Sequence, residues 1–346
     1  MLPYKLPNMF IPSSYSLAVV LCVITMLCWG SWANTQKLAS KSWSFPLFYW
    51  DYVIGILIFT LLFGLTLGSN GTAGRPFLED LGQASQQAYL SAFLGGVLFN
   101  LANLLIVAAI SVAGMAVAFP VGIGLALVIG VVVNFLANPV GDPKWLFIGV
   151  FLVTTAIILD AIICKRLPGQ KTASTLKGLL LSIAGGILMG FFFRFVAAAI
   201  SINFANPEPG LFTPYSAVFV FSIGVLISNF IWNSWFMYFP VQGKKSTYLD
   251  YFRLGNLKLH SIGILGGIIW GIGMSLSLIA SEKAGFAISY GLGQGATMIA
   301  AAWGVFIWKE FKDAPKGTNI YIGLMFTLFI LGLGLIVFSR TVGQSN

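Results

Sequence analysis

The sequence predicts an all-α integral membrane protein with ten transmembrane helices, arranged as two inverted repeats of five helices each. Three observations lead to this fold class. Hydrophobic residues make up 58% of the 346 residues and charged residues only 8%, too few to coat the surface of a water-soluble domain. Apolar runs long enough to cross about 30 Å of hydrocarbon recur along the whole chain. The second half of the chain also repeats the glycine positions of the first half.

The apolar runs give the ten predicted helices in chain order. They are residues 16–32, 46–67, 88–110, 115–136, 144–163, 178–202, 214–239, 261–280, 285–308 and 318–338. The first run is interpreted as a true span, because little basic charge precedes it and it carries no small-residue cleavage site of the kind that ends a signal peptide.

The internal repeat is clearest in the middle of each half. Residues 94–130 align without a gap with residues 265–301, so that Gly96 falls on Gly267. Glycines in membrane helices mark places where helices touch, which makes this shared register more informative than the modest identity. Five spans in each half force the two halves into opposite orientations. That layout is typical of secondary transporters.

The net charge of +9 is distributed so that it indicates an orientation. Thirteen of the 19 lysines and arginines lie in loops that follow odd-numbered helices: Lys37, Lys41, Lys165, Arg166, Lys171, Lys177, Lys244, Lys245, Arg253, Lys258, Lys309, Lys312 and Lys316. The positive-inside rule places these loops in the cytoplasm and both termini outside it, with the plasma (inner) membrane as the expected location. A basic cytoplasmic linker, residues 165–177, then joins the repeats 1–164 and 178–346.

Five motifs resemble the ureide permeases of plants. They are 28–38 (CWGSWANTQKL), 48–52 (FYWDY), 94–103 (LGGVLFNLAN), 266–273 (GGIIWGIG) and 303–311 (WGVFIWKEF). The last stretch is more distantly similar to bacterial glucose and rhamnose uptake permeases. The resemblance implies the fold of the drug/metabolite transporter superfamily and the transport of allantoin, uracil or related neutral heterocycles with protons. The long central loop of the plant proteins is missing here, so the resemblance carries less weight for the substrate than for the fold.

Ionisable residues inside the spans are few, and each is a functional candidate by default. Asp51 lies near the start of the second helix within the aromatic run 48–52, where burial disfavours the charged form of a carboxylate. It is therefore the candidate proton-coupling site. The alternative is an interfacial carboxylate in an aromatic belt. Arg194, in the sixth helix, must find a hydrogen-bond acceptor. It occupies the place of Asn34 in the repeat, and both are candidates for substrate binding.

Neutral polar side chains are predicted near the middle of the membrane, where inverted-repeat transporters bind their substrates. By residue counting they are Asn100, Asn103, Asn229, Trp270 and Gln294. Amide groups both donate and accept hydrogen bonds, which suits an uncharged ligand. Trp29, Trp32 and Trp270 are expected to stack on a planar ring or on a sugar face. Tyr52 is a further candidate for substrate binding. The alternative is that the amides only join neighbouring helices.

The leading expectation is a secondary transporter that imports a small neutral solute, a ureide or nucleobase-like heterocycle, by proton symport and alternating access. A sugar symporter and an exporter of the same fold are the alternatives. An enzyme is not expected, because no nucleophile–base pair, paired acids or metal motif is present. No catalytic residue, metal or cofactor is expected, and sodium is left open as a coupling ion. The expected partners are the solute and the lipid bilayer but not nucleic acid, and a homodimer is left open.

Overall fold

The computed structural model describes residues 9–39, 43–71, 73–167 and 176–343, so most of the predicted linker 165–177 lies outside the described residues. Regular structure in the described chain is helical, apart from two isolated backbone bridges. The helices are α1 (Tyr15–Ser31), α2 (Ala33–Ala39), α3 (Phe45–Leu65), α4 (Phe77–Gln83), α5 (Gln86–Ala113), α6 (Met115–Ala137), α7 (Pro143–Lys165), α8 (Leu176–Ala198), α9 (Pro214–Tyr238), α10 (Tyr248–Leu254), α11 (Leu257–Ala284), α12 (Phe286–Gly293), α13 (Ala296–Ala302) and α14 (Thr318–Val342). The all-α prediction is confirmed for these residues.

Nine stretches of the described chain are long and apolar enough to cross a membrane, the first of them formed by α1 and α2 together. The protein is therefore an integral membrane protein with multiple spans. The predicted ninth span, residues 285–308, differs from the prediction because it is not one continuous helix. It consists of α12, α13 and a π-helical turn, Trp303–Ile307.

The interruption between α12 and α13 lies at Gln294, which has a glycine on each side. Glycine is a weak helix former, so this sequence holds the α-helical pattern poorly. The N–H of Gly295 bonds to the carbonyl of Leu292, three residues back, instead of the fourth residue back. The helical hydrogen-bond pattern is therefore tightened locally at this point.

Capping residues extend two of the long helices beyond their apolar runs. Ser85 accepts a hydrogen bond from the N–H of Ala88, and α5 begins at Gln86, before the predicted start. Asn256 accepts from the N–H of Leu259, and α11 begins at Leu257. Such side chains satisfy the free N–H groups of a first helical turn. As a consequence, His260 lies within α11 and not in the loop before it.

Glycines hold the two halves together through matching contacts. A Cβ at Gly267 of α11 would overlap the carbonyl oxygen of Tyr52 in α3, and a Cβ at Gly96 of α5 would overlap that of Phe221 in α9. Gly96 and Gly267 are the positions that the sequence aligned. The reciprocal contacts are those of Gly55 with Ile264 and of Gly224 with Phe93. The α3–α11 and α5–α9 interfaces thus use corresponding glycines for close backbone approach.

At one end of the bundle, several hydrogen bonds converge on Asp80 of α4. The carboxylate is fully buried and accepts a hydrogen bond from Arg75 Nη1 at 2.8 Å. Its other oxygen accepts from the N–H of Thr213 at 2.7 Å. Arg75 also donates to the carbonyl of Pro207 at 2.9 Å. These contacts join α4 to the segment that leads into α9.

At the opposite end of the bundle, α2 contacts the segment after the π-helical turn. Lys37 Nζ lies 2.6 Å from a carboxylate oxygen of Glu310 and 4.1 Å from the ring centroid of Trp308. Trp308 Nε1 donates to Asn34 Oδ1 at 2.7 Å. Asn34 thus bonds at this end of the bundle.

Candidate functional site

Four aromatic side chains from four other helices meet around Trp270 of α11, which is only 5% exposed. We call Trp29, Tyr52, Phe99, Phe221 and Trp270 the aromatic cluster. Trp270 lies 4.3 Å from Phe99, 5.9 Å from Trp29, 5.9 Å from Phe221 and 6.4 Å from Tyr52, measured between ring centroids. The indoles of Trp29 and Trp270 are stacked, with 14° between their planes. The structure thus brings together Trp29, Tyr52 and Trp270, three of the predicted binding residues.

Two buried amides, Asn100 and Asn229, lie on α5 and α9, which also carry Phe99 and Phe221 of this cluster. Asn100, next to Phe99, donates from Nδ2 to Ser228 Oγ at 2.9 Å, and its Oδ1 is buried without a partner among the described residues. Asn229, next to Ser228, is 0% exposed, and neither its Nδ2 nor its Oδ1 has a described partner. A complete amide group is therefore buried at Asn229 without any hydrogen bond from the described chain.

Two tyrosines of α3 add further polar atoms. Asn103 Nδ2 donates to the hydroxyl of Tyr49 at 3.1 Å, and the rings of Tyr49 and Tyr52 stack 5.2 Å apart. The hydroxyl of Tyr52 is buried and has no partner among the described residues. Asn103 is thus hydrogen-bonded to a residue adjacent in space to the aromatic cluster, while Tyr52 presents a free donor and acceptor.

Buried polar atoms without partners are uncommon in folded proteins, and each asks for an explanation. Leaving one unsatisfied costs about 1–3 kcal/mol. Tyr52 belongs to the aromatic cluster, and Asn100 and Asn229 lie on α5 and α9, the helices that carry Phe99 and Phe221. Together these three residues offer both donors and acceptors on helices that also contribute flat apolar rings. This combination fits an uncharged, planar ligand with polar groups along its edge.

Gln294 lies at the interruption between α12 and α13. The ideal Cβ position of the preceding glycine, Gly293, is 2.8 Å from the ring of Trp29. The interruption therefore lies against the aromatic cluster. No described residue forms a hydrogen bond with the side chain of Gln294, which is mostly buried.

Two predicted binding residues lie away from the aromatic cluster. Asn34 bonds to Trp308 and to the carbonyl of Ser31 near the end of the bundle. Arg194 lies on α8 and is half-buried, without an ion pair or hydrogen bond to any described residue. Neither is among the ring and hydrogen-bond contacts of the aromatic cluster.

Asp51 lies at a second polar centre, which we call the Asp51 cluster: Asp51, Trp43, Tyr251 and His260. The carboxylate is 1% exposed and accepts hydrogen bonds from three segments of the chain. Oδ1 accepts from the hydroxyl of Tyr251 and lies 2.9 Å from His260 Nδ1, while Oδ2 accepts from Trp43 Nε1 at 3.3 Å. Asp51 is thus a buried, fully bonded carboxylate, and not one that reaches out to the membrane surface.

Tyr251 belongs to α10, a short helix without a buried residue. Partial burial, together with its hydrogen bond to Asp51 and the charge of that carboxylate, raises the pKa of Tyr251. The phenol therefore keeps its proton and remains a donor to Asp51. Sequence reasoning missed Trp43, Tyr251 and His260, although His260 is the only histidine of the chain. In the described residues, no group of three or more His, Cys, Asp or Glu side chains could hold a metal ion.

Comparisons with known proteins show the family to which the chain belongs. The model of the ureide permease family matches residues 48–167 and 164–339. Ureide permease 1 of Arabidopsis thaliana is 22% identical over 388 residues, covering 96% of this chain and 99% of that protein. The putative sugar uptake protein YxfA of Lactococcus lactis is 23% identical over 288 residues, covering 81% of this chain and 89% of that protein.

More local and more distant likenesses add to this result. The probable glucose uptake protein GlcU of Staphylococcus aureus is 34% identical over 70 residues, or 20% of this chain. A crystal structure superposes on this chain with a TM-score of 0.59 and 14% sequence identity, covering 94% of this chain and 99% of that one. This likeness indicates a similar fold only. The family match extends over most of the chain. The protein therefore belongs to the ureide permease family and is a membrane transporter rather than an enzyme.

Proposed function

We propose that this transporter imports a small, neutral, planar solute, a ureide or nucleobase-like heterocycle, by proton symport. The solute binds between the rings of the aromatic cluster and bonds to the amides of α5 and α9. The single observation that carries this proposal is the buried amide of Asn229, which lacks any described partner and lies on α9, the helix that also carries Phe221 of the aromatic cluster. The family match and the name of the Arabidopsis relative support the choice of heterocycle.

The proposed mechanism is alternating access between two inverted five-helix repeats. The corresponding glycine contacts of the α3–α11 and α5–α9 interfaces support such a relation. The interrupted segment from Phe286 to Ile307 is 22 residues long, enough for a tenth span at 1.5 Å per residue. Interrupted helices are typical of transporter binding sites. Loop charges favour a cytoplasmic position for the Lys37–Glu310 end and an external position for both termini.

Asp51 is the proposed proton-coupling residue. It is the carboxylate of the spanning helices with the lowest exposure, and the next residue, Tyr52, belongs to the aromatic cluster. Proton binding at position 51 and solute binding at position 52 would thus act on the same turn of α3. A proton gradient is the proposed energy source.

A sugar is the second candidate solute. The sugar uptake protein of Lactococcus lactis covers most of this chain, and tryptophan rings also stack on sugar faces. Amide groups serve hydroxyls as well as ring nitrogens. The two candidates therefore differ in the solute and not in the site.

A thermal-shift screen of the purified protein tests the proposal. Allantoin, uracil and xanthine form one arm, and glucose and rhamnose form the other. A ligand that binds the folded state raises the melting temperature by mass action, by an amount that grows with its concentration. We expect a shift with at least one heterocycle. A shift with sugars alone would replace the heterocycle by a sugar, and no shift in either arm would contradict both.

A further inference from the structure

The only histidine of the chain pairs with the most deeply buried carboxylate of the spanning helices. His260 Nδ1 lies 2.9 Å from Asp51 Oδ1, across the interface between α11 and α3. The two helices approach closely because residue 263 is a glycine, whose Cβ would overlap the side chain of Asp51. The contact is therefore built into the helix packing and does not depend on a flexible loop.

The two partners differ in their access to solvent. The side chain of His260 is 27% exposed, whereas that of Asp51 is 1% exposed. His260 Nε2 points toward the backbone of Gly255, and a Cβ at that position would overlap this nitrogen. A glycine there leaves Nε2 room. The imidazole is thus the more exposed partner of the pair, with Nδ1 at the carboxylate and Nε2 near Gly255.

The ring of His260 is held in place by two aromatic neighbours. Trp43 meets it edge-on with 5.3 Å between the ring centroids, and Tyr251 lies 4.8 Å away. Both neighbours also donate to the Asp51 carboxylate. The same residues therefore orient the donor and the acceptor of the pair.

We propose that Asp51 and His260 form one proton-binding site, which exchanges protons with the solvent through the partly exposed ring of His260, and that Tyr251 is its positioning residue. The inference rests on the proton symport proposed above and extends it from one residue to a pair. A histidine titrates in the physiological range, which a carboxylate alone does not ordinarily do.

The proton balance of the pair is simple. An ionised carboxylate only accepts hydrogen bonds, so His260 carries a hydrogen on Nδ1 in this contact. A proton added at Nε2 gives an imidazolium next to a carboxylate, a pair without net charge. Loss of that proton, with cleavage of the Nε2–H bond, leaves a neutral imidazole and one buried negative charge. The charge of the pair thus changes by one unit per proton.

Other titratable groups do not compete for this proton in the described structure. Tyr251 of α10 and Asp51 of α3 are the titratable side chains in contact with His260. Asp250 of α10 bonds instead to Thr247. Arg253 of α10 and Lys258 of α11 are exposed, and neither forms an ion pair with a described residue.

The pair also has a structural path to the solute site. Asp51 precedes Tyr52 on α3, and His260 lies on the helix that carries Trp270, ten residues or about 15 Å further along. A change in the charge of the pair alters the attraction between α3 and α11. The same two helices carry two rings of the aromatic cluster, so proton binding and solute binding act on one helix pair.

The test is nitrogen NMR of the full-length protein in lipid nanodiscs, with isotope label in histidine alone. One histidine gives one set of imidazole signals, so no assignment is needed. In the wild-type protein we expect the neutral imidazole to carry its proton on Nδ1. A neutral tautomer protonated on Nε2 would overturn the proposal without any variant.

Three variants complete this test. Asp51→Asn is expected to shift the imidazole titration to lower pH, because a nearby negative charge favours the imidazolium. Tyr251→Phe should shift it to higher pH, since the carboxylate loses one donor and attracts the proton more strongly. Asp160→Asn on α7 is the matched control and should change nothing. An unchanged titration in Asp51→Asn would contradict the pair. Since no solute is added, this outcome is independent of the solute screen.

Discussion

At the residue scale, the site combines side chains that hydrogen-bond fully with side chains that do not. Asp51 has three donors, whereas Asn229 has none among the described residues. Full bonding fixes a group in place, and a buried amide without partners lowers stability. Such an amide does not stabilise the fold. The contrast favours a positioning role for the bonds around Asp51 and a ligand-binding role for Asn229.

The first residue-scale prediction concerns Asn229. Asn229→Leu removes an unpaired buried amide and replaces it by an apolar group of similar size, which is expected to leave the stability unchanged or to raise it. The same change should weaken solute binding by about 1–3 kcal/mol, because the ligand loses its hydrogen bonds to the amide. Melting temperature and ligand-induced shift are measured on the same samples.

Asn134→Leu is the matched control for this prediction. Asn134 is also buried with an unpaired Oδ1, but its Nδ2 donates to Gly130 of the same helix, α6, away from the aromatic cluster. We expect its solute affinity to match that of the wild type. Equal loss of affinity in both variants would indicate a general packing effect and would contradict a binding role for Asn229.

Only part of this site could be predicted from the sequence. Trp29, Tyr52 and Trp270 could be named as candidates because each is an aromatic residue in a predicted span, whereas their meeting in one cluster is seen only in the structure. Tyr251 and His260 could not, since they lie 200 and 209 residues from Asp51 and both occur near helix ends. Only the packing of α10 and α11 against α3 brings them to the carboxylate. A lone histidine in a sequence gives no sign of its partner.

At the element scale, glycines decide how closely the helices approach. The glycine register of the repeat was readable in the sequence, and the contacts of Gly96 and Gly267 fall at the aligned positions. The interruption at Gln294 was not predicted, because hydropathy remains high through residues 285–308 while the hydrogen-bond pattern changes. Apolar runs report where a chain can cross a membrane. They do not report whether the helix is continuous.

The element-scale prediction compares three glycine-to-alanine variants. Gly96→Ala and Gly267→Ala each place a Cβ against a backbone carbonyl of the facing helix, so that the helices must separate. Overpacking of this kind typically costs about 1–3 kcal/mol, and both variants should melt at lower temperature than the wild type. A melting temperature equal to that of the wild type in either variant would contradict the close packing.

Gly323→Ala on α14 is the control for these two variants. No heavy atom lies within 4 Å of the ideal Cβ at this position. Alanine is the better helix former by about 1 kcal/mol, so this variant should be as stable as the wild type or more stable. A loss of stability there equal to that of the other two would mean that the glycines act through something other than helix contact.

At the scale of the whole molecule, polar contacts join segments at both ends of the bundle, and we call these contacts the two closures. Asp80 joins α4 to the segment before α9 at one end, and Asn34 and Lys37 join α2 to the segment around Trp308 at the other. The aromatic cluster lies between these closures, with Trp270 and Tyr52 almost fully buried. In the proposed mechanism, each closure opens in turn.

The orientation prediction also belongs to the whole molecule. Basic loops after odd-numbered spans place both termini outside the cytoplasm. A reporter fused after Asn346 that is active only outside the cytoplasm should therefore be active, and a cytoplasmic reporter at the same place should be silent. A cytoplasmic signal at this terminus would contradict the orientation and would exchange the roles of the two closures.

The measurement that tests the central claim most directly is solute accumulation in proteoliposomes with an imposed pH gradient, acidic outside. The solutes are labelled allantoin and uracil, with glucose for comparison. Wild-type protein is predicted to concentrate a heterocycle above equilibrium until the gradient is collapsed with a protonophore. Asp51→Asn should exchange solute across the membrane without concentrating it. Uptake that only equilibrates in the wild type, or accumulation by Asp51→Asn at the wild-type level, would contradict proton-coupled transport through Asp51.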